Sequence, residues 1–263
     1  MKIKWCTRAN IKEILSLALA VLTVGALIIS AIPPVMNIYG IISTILLSLI
    51  ISYIVITVKR TIRQQKVIRT NGKTITIKSG NIFEENDITV IPVNCCFDTV
   101  VDDDLISSKS IHGQFINHYC HDIKSLDELI EKQLPLNNYR IVEKKSGKNK
   151  EYNPGTIVSV KKEKQFIFLA LTKFDTENVA ECELPDYCKA VVELLSYLND
   201  HCQGNSVSMP LIGGGLSRIG AEPGTILELL VTLIKTHKDA YPRQITIVLN
   251  KKTFDDIDLD KIQ

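Results

Sequence analysis

The stretch Ser208–Gly224, SMPLIGGGLSRIGAEPG, decides how the chain folds. The apolar run Val207–Ile212 reads as a strand buried on both faces. It runs into three consecutive glycines, Gly213, Gly214 and Gly215, followed by Leu216, Ser217 and Arg218. Pro223 then suits the first turn of a helix over Pro223–His237. Buried strand, glycine loop and helix in this order are parts of an α/β domain. Glycine backbone lets a ligand reach N–H groups directly, and such groups beside a helix N-terminus favour anions, phosphate above all. Two standard nucleotide loops do not fit. A Walker loop from Gly215 to Gly220 needs Lys and Ser or Thr next, where Ala221 and Glu222 stand. A Rossmann step from Gly213 fails at Arg218, where its last glycine belongs.

The surrounding pattern alternates strands and helices. Thr74–Lys78, Asp87–Asn94, Thr156–Val160, Gln165–Thr172 and Gln244–Leu249 read as strands. Ser110–Cys120, Ser125–Leu134 and Pro185–Cys202 read as helices, with Ser125 and Glu128 as the capping box of the second. Lys144–Lys150 reads as a solvated loop. The pattern predicts a three-layer α/β/α domain with a mixed sheet over residues 74–263.

The first 58 residues have a different character. No charged residue or histidine occurs from Ile14 to Val58, and nine basic residues, from Lys2 to Lys12 and from Lys59 to Arg69, flank the block. Setting those and Glu13 aside leaves 22 Lys and Arg against 28 Asp and Glu, so the remaining chain is acidic and no nucleic-acid partner is expected. Pro33 and Pro34 divide the block. Residues 14–32 would form about 28 Å of helix, close to a hydrocarbon core of about 30 Å, and 38–58 are long enough as well. Two transmembrane helices are expected in preference to a buried hairpin or a cleaved signal peptide. Residues 1–58 are thus read as a membrane anchor and 59–73 as a basic juxtamembrane linker or helix continuation. The basic flanks place both termini in the cytoplasm of a multi-pass protein of the cell membrane. The seven cysteines include no C-x-x-C, and His118–Asp122 (HYCHD) lacks a second ligand group, so no metal and no cofactor are expected.

Upstream, Lys78–Thr99 (KSGNIFEENDITVIPVNCCFDT) places Gly80-Asn81-Ile82 before a strand ending at Asn94. With the late glycine loop, this order resembles the macro domain, an ADP-ribose-binding family, over Lys73–Leu249. Two departures stand out. The family's Asp after the first glycine is Asn81 here. The second Asn of the Asn-Ala-Ala-Asn step of hydrolytic members is Phe97, and Gly113 alone remains of their next glycine loop. With its apolar N-terminal block, the chain is similar to the transmembrane–macro effectors of type II Thoeris antiphage defence.

That resemblance implies a function and a site. The domain is expected to bind an ADP-ribose derivative, a histidine–ADP-ribose conjugate, made from NAD by a partner TIR-domain enzyme. Binding would drive homo-oligomerisation and disruption of membrane lipid, without catalysis. Gly213, Gly214, Gly215, Leu216, Ser217 and Arg218 would cradle the diphosphate, faced by Ser110, Ile111, His112 and Gly113. Asn81 and Ile82 would lie near adenine, and Asn94 and Asp98 near the distal ribose. Asp98 or Asp102–Asp104 would pair with the group it carries. The alternatives are a membrane-anchored ADP-ribosyl hydrolase or deacetylase, with Asn94 and Asp98 as its residues, and a scaffold with an empty glycine loop.

Overall fold

The computed structural model describes residues 65–262 apart from 71, 86–87, 203, 216–218 and 238–243. In the preceding part it describes 16, 19, 20, 23 and 45–54. The chain divides into two units, Met1–Gln64 and Gln65–Gln263.

In the first unit residues 45–54 are helical. Ser48 and Ser52 are buried there, and their hydroxyls donate to the carbonyls of Ile45 and Ser48 at 3.0 and 2.7 Å. Leu46, Leu47, Ile50 and Ile54 are exposed. The expected spans, 14–32 and 38–58, lie for the most part outside the described residues. The multi-pass placement in the cell membrane is corrected: among the described residues no helix is long and apolar enough to cross a membrane.

The second unit is built on an eight-stranded sheet. Its strands are β1 (Gln65–Thr70), β2 (Lys73–Ser79), β3 (Ile88–Asn94), β6 (Ile157–Lys161), β7 (Gln165–Phe174), β8 (Ala180–Glu181), β9 (Val207–Pro210) and β10 (Gln244–Leu249). The order is β1-β2-β10-β9-β3-β7-β6, with β8 paired to the end of β7. β2, β10, β9, β3 and β7 run parallel, whereas β1 and β6 are antiparallel edges. A separate hairpin pairs β4 (Tyr139–Ile141) with β5 (Lys150–Tyr152). The helices are α1 (Ile111–Tyr119), α2 (Ile123–Gln133), α3 (Leu184–His201), α4 (Pro223–Thr236) and α5 (Lys251–Asp256).

β7 shows why there are three layers. Its Ile167, Leu169 and Leu171 pack into one core with Leu194 and Leu198 of α3 and Leu227 and Leu230 of α4. The alternate residues Phe166, Phe168 and Ala170 pack into a second core with Phe115 of α1 and Leu126 and Ile130 of α2. A strand buried on both faces needs apolar residues at every position, as FIFLAL supplies.

Three local readings change. Residues 65–70, read from their charge as linker, form β1, whose Lys66 ammonium donates to the carbonyls of Leu259 and Ile262. The N-cap of α2 is Asp122, which accepts from Ser125 N at 3.2 Å, so Ser125 lies inside the first turn. The solvated loop 144–150 is the tip of the β4–β5 hairpin, and the Lys144 side chain within it is buried.

Candidate functional site

β3 and β9 pair at two positions only, Ile88↔Val207 and Thr89↔Ser208. Beyond them the strands part. Pro92 on β3 and Pro210 on β9 have no N–H to extend a ladder. β3 also slips against β7 between Val93 and Asn94, where Asn94 pairs with Thr172 and leaves Leu171 over. Such a bulge bends a strand and re-aims its side chains. A cavity of about 570 Å³ opens here, lined by Pro92, Asn94, Pro210, Leu171 and Thr172 among others. It lies at the carboxyl ends of the parallel strands, where open α/β sheets hold ligands.

The glycine loop forms one wall. Gly213, Gly214 and Gly215 all line the cavity. Gly213 has φ 80°, and an added Cβ would fall 2.1 Å from Ile219 Cδ1 and 3.0 Å from the Tyr187 ring. A Cβ on Gly214 would fall 2.5 Å from the Leu211 side chain, while one on Gly215 meets nothing within 4 Å. The loop therefore needs glycine at 213 to fold, and at 215 it offers bare backbone to the cavity. Leu216, Ser217 and Arg218 lie outside the described residues.

The facing wall is the start of α1. Ser110 Oγ accepts from Gly113 N at 2.9 Å and donates to Ser107 O at 2.7 Å. This cap satisfies one N–H of the first turn and leaves those of Ile111 and His112 at the open helix end. Ser110, Ile111 and His112 line the cavity; Gly113 does not. Its role is steric, since a Cβ there would lie 2.2 Å from Ser107 O. His112 is buried edge-on to Phe168 at 5.6 Å, and its Nε2 has no partner among the described residues. Burial, reinforced by Lys148, holds the imidazole down to about 3, so it is neutral at ordinary pH.

At one end, Asn81 and Ile82 line the cavity with Val248, Leu249, Asn250 and Thr253. The Asn81 side chain serves its own turn: Oδ1 accepts from Phe83 N at 3.1 Å and Nδ2 donates to Glu84 Oε1 at 3.3 Å. At the other end lie Asn94, Thr172, Phe174, Leu105 and Ser107. Asn94 Oδ1 accepts from Cys96 N and Asp98 N at 3.0 and 3.3 Å, which folds the following loop back onto it. In that loop Phe97 takes φ 52° and is buried against Tyr152.

The acidic residues expected at the distal end are engaged elsewhere. Asp98 does not line the cavity. It is 1% exposed and pairs at 2.6 Å with Lys144, itself 1% exposed, and accepts from Lys148 N at 2.6 Å. Asp102 accepts from the N–H groups of Asp104 and Leu105, Asp103 from that of Ser108, and Asp104 pairs with Lys145. The Leu105 and Ser108 N–H groups hold the Asp102 and Asp103 carboxyls below their ordinary range. These aspartates close turns and pin the β4–β5 hairpin. Among the described lining residues there is no Asp or Glu, while Lys109 supplies a positive charge at the rim. Cys95 and Cys96 are buried, and burial raises both thiols, Cys96 to about 11, so neither is an activated nucleophile. No cluster of His, Cys, Asp and Glu among the described residues is arranged to hold a metal.

Thr172 and Phe174 at the end of β7, Asn250 and Thr253 after β10, and Ser107 and Lys109 before α1 were missed from the sequence. Assigning QFIFLALT and QITIVL as parallel strands would have pointed to the first four.

A parallel-stranded α/β/α core with a crevice between a glycine loop and a helix N-terminus defines a ligand-binding domain of macro type. The family described as "Thoeris protein ThsA, Macro domain" matches residues 75–250. The Thoeris protein ThsA of Bacillus amyloliquefaciens (strain Y2) is 33% identical over 207 residues, covering 73% of this chain and 68% of that protein. The chain belongs to the Thoeris ThsA macro-domain family. Among solved structures, the Oceanobacillus iheyensis macrodomain with ADP is 14% identical at a TM-score of 0.48, over 73% of this chain and 91% of that one. DarTG of Thermosipho africanus in complex with ADP-ribose is 13% identical at a TM-score of 0.44, over 71% of this chain and 44% of that one.

Proposed function

We propose that this chain is the sensor and effector of a Thoeris-type antiphage defence. Its cavity binds an ADP-ribose derivative, histidine–ADP-ribose in this reading, made from NAD by a TIR-domain enzyme. Occupancy drives self-association of the chain. Disruption of a lipid bilayer by the associated form is the second half of the proposal.

One observation carries the ligand reading. The cavity brings glycine-loop backbone, the open start of α1 and Lys109 together, with no carboxylate among its described lining residues. That environment suits a diphosphate, and about 570 Å³ lies within the usual range for small-molecule sites. The same observation favours a binder over a hydrolase, which needs a group to activate water at the distal end. Asp98, which the hydrolase reading relied on, is bound to Lys144.

Thermal melting of the full chain with ADP-ribose or its histidine conjugate tests the ligand reading. A hundredfold excess over the dissociation constant stabilises by about 2.7 kcal/mol. An unchanged melting temperature with both refutes it, and free ADP-ribose released from the conjugate refutes the binder assignment. Sedimentation with and without ligand tests self-association, which a constant sedimentation coefficient would exclude. Dye release from liposomes tests the last step; release without ligand counts against it.

A further inference from the structure

We infer that Asn250, and not Asn81, reads the ring at the aliphatic end of the cavity, by donating from its amide nitrogen to an acceptor on the ring edge. This rests on the proposed ADP-ribose reading and goes beyond it by naming what the site recognises in the base. Leu249 pairs with Ser79, and Gly80 N donates to Leu249 O at 3.0 Å, so residues 79–82 and 249–250 form one lip. Ile82, Val248 and Leu249 give that lip an aliphatic wall against which a flat ring can lie.

The two asparagines on this lip differ in what they have left to offer. Both ends of the Asn81 amide are engaged, Oδ1 by Phe83 N and Nδ2 by Glu84. Asn250 is the N-cap of α5, and its Oδ1 accepts from Thr253 N at 2.9 Å. That bond fixes which end of the amide is oxygen and holds its plane. Nδ2 has no partner among the described residues and offers hydrogens only. The group it recognises is therefore an acceptor, such as a ring nitrogen or a ring carbonyl. An exocyclic amino group, itself a donor, gains nothing from it.

Calorimetric titration of the full chain tests this with two probes, ADP-ribose and its analogue carrying unsubstituted purine in place of adenine. Wild type should bind the two within about threefold of each other. Asn250→Ser keeps a capping oxygen but loses the Nδ2 donor, and its one hydroxyl sits a bond closer to the backbone, at the cap. It should weaken ADP-ribose about tenfold, the loss of one hydrogen bond, at an unchanged melting temperature. Asn81→Ala should bind within about threefold of wild type. A tenfold preference of wild type for the amino-bearing ring overturns the inference without needing any variant. So does Asn250→Ser binding like wild type, and in both cases the ADP-ribose reading stands. Wild type that binds neither probe overturns both.

Discussion

Gly213 and Gly215 sit two residues apart in the same loop under different constraints. At 213 the positive φ and the closeness of Ile219 and Tyr187 exclude a side chain, whereas at 215 a methyl group meets no protein atom. Gly213→Ala should therefore destabilise the domain by roughly 1–3 kcal/mol and reduce binding only as a consequence. Gly215→Ala should melt like wild type and lose ligand affinity, because its methyl occupies the cavity. Melting curves and titrations of both variants check this. The sequence marked all three glycines as one cradle, since a string of letters does not say which contact each serves. His112 gives the residue scale a pH dependence. Its folded value of about 3 lies below the ordinary 6.5. Between those limits the unfolded chain binds a proton that the folded chain does not. Its contribution is full above 6.5 and is lost as pH falls toward 3, by at most about 1.4 kcal/mol per pH unit. Melting temperature against pH should show this acid limb, and His112→Leu should flatten it.

At the scale of elements, the β4–β5 hairpin is the feature least legible in the sequence. KKSGKNK has the composition of a solvated loop, yet Lys144 is buried on Asp98 and lies 4.9 Å over the Phe174 ring. Gly147, at φ 88°, comes so close that a Cβ would lie 2.4 Å from Asp98 Oδ1. The pair joins segments far apart in sequence, and no local pattern announces it. Asp98→Asn leaves Lys144 buried without its counter-charge and should cost about 3–5 kcal/mol, measurable by denaturant unfolding. If Asp98 were instead a ligand contact, the variant would keep wild-type stability and lose affinity alone. β1 was hidden for a related reason. Lys66 and Arg69 read as membrane-flanking charge, but Gln65–Thr70 alternates exposed and half-buried positions and pairs along its whole length with β2. The long central elements were legible because β3, β7, β9 and β10 are apolar at almost every position and α3 and α4 keep one apolar stripe each.

For the whole molecule, the order of strands, glycine loop and helices was enough to reach the three-layer domain and its macro-domain resemblance, and the Thoeris resemblance also drew on the apolar N-terminal block. The cavity's walls were legible only in part. The glycine loop and the α1 start announce themselves by residue type, whereas Thr172, Phe174 and Asn250 reach the cavity through strand order and through the parting of β3 from β9. The apolar N-terminal block led to an expected membrane placement, and among the described residues no helix meets the length that requires. The central claim is that the crevice, with no carboxylate among its described lining residues, holds an ADP-ribose-derived signal. Isothermal titration of the full chain with histidine–ADP-ribose tests it most directly. The account predicts saturable binding, weakened by Gly215→Ala and retained when salt is raised moderately, because backbone N–H groups carry most of the recognition. No heat of binding, or binding untouched by Gly215→Ala, would contradict it.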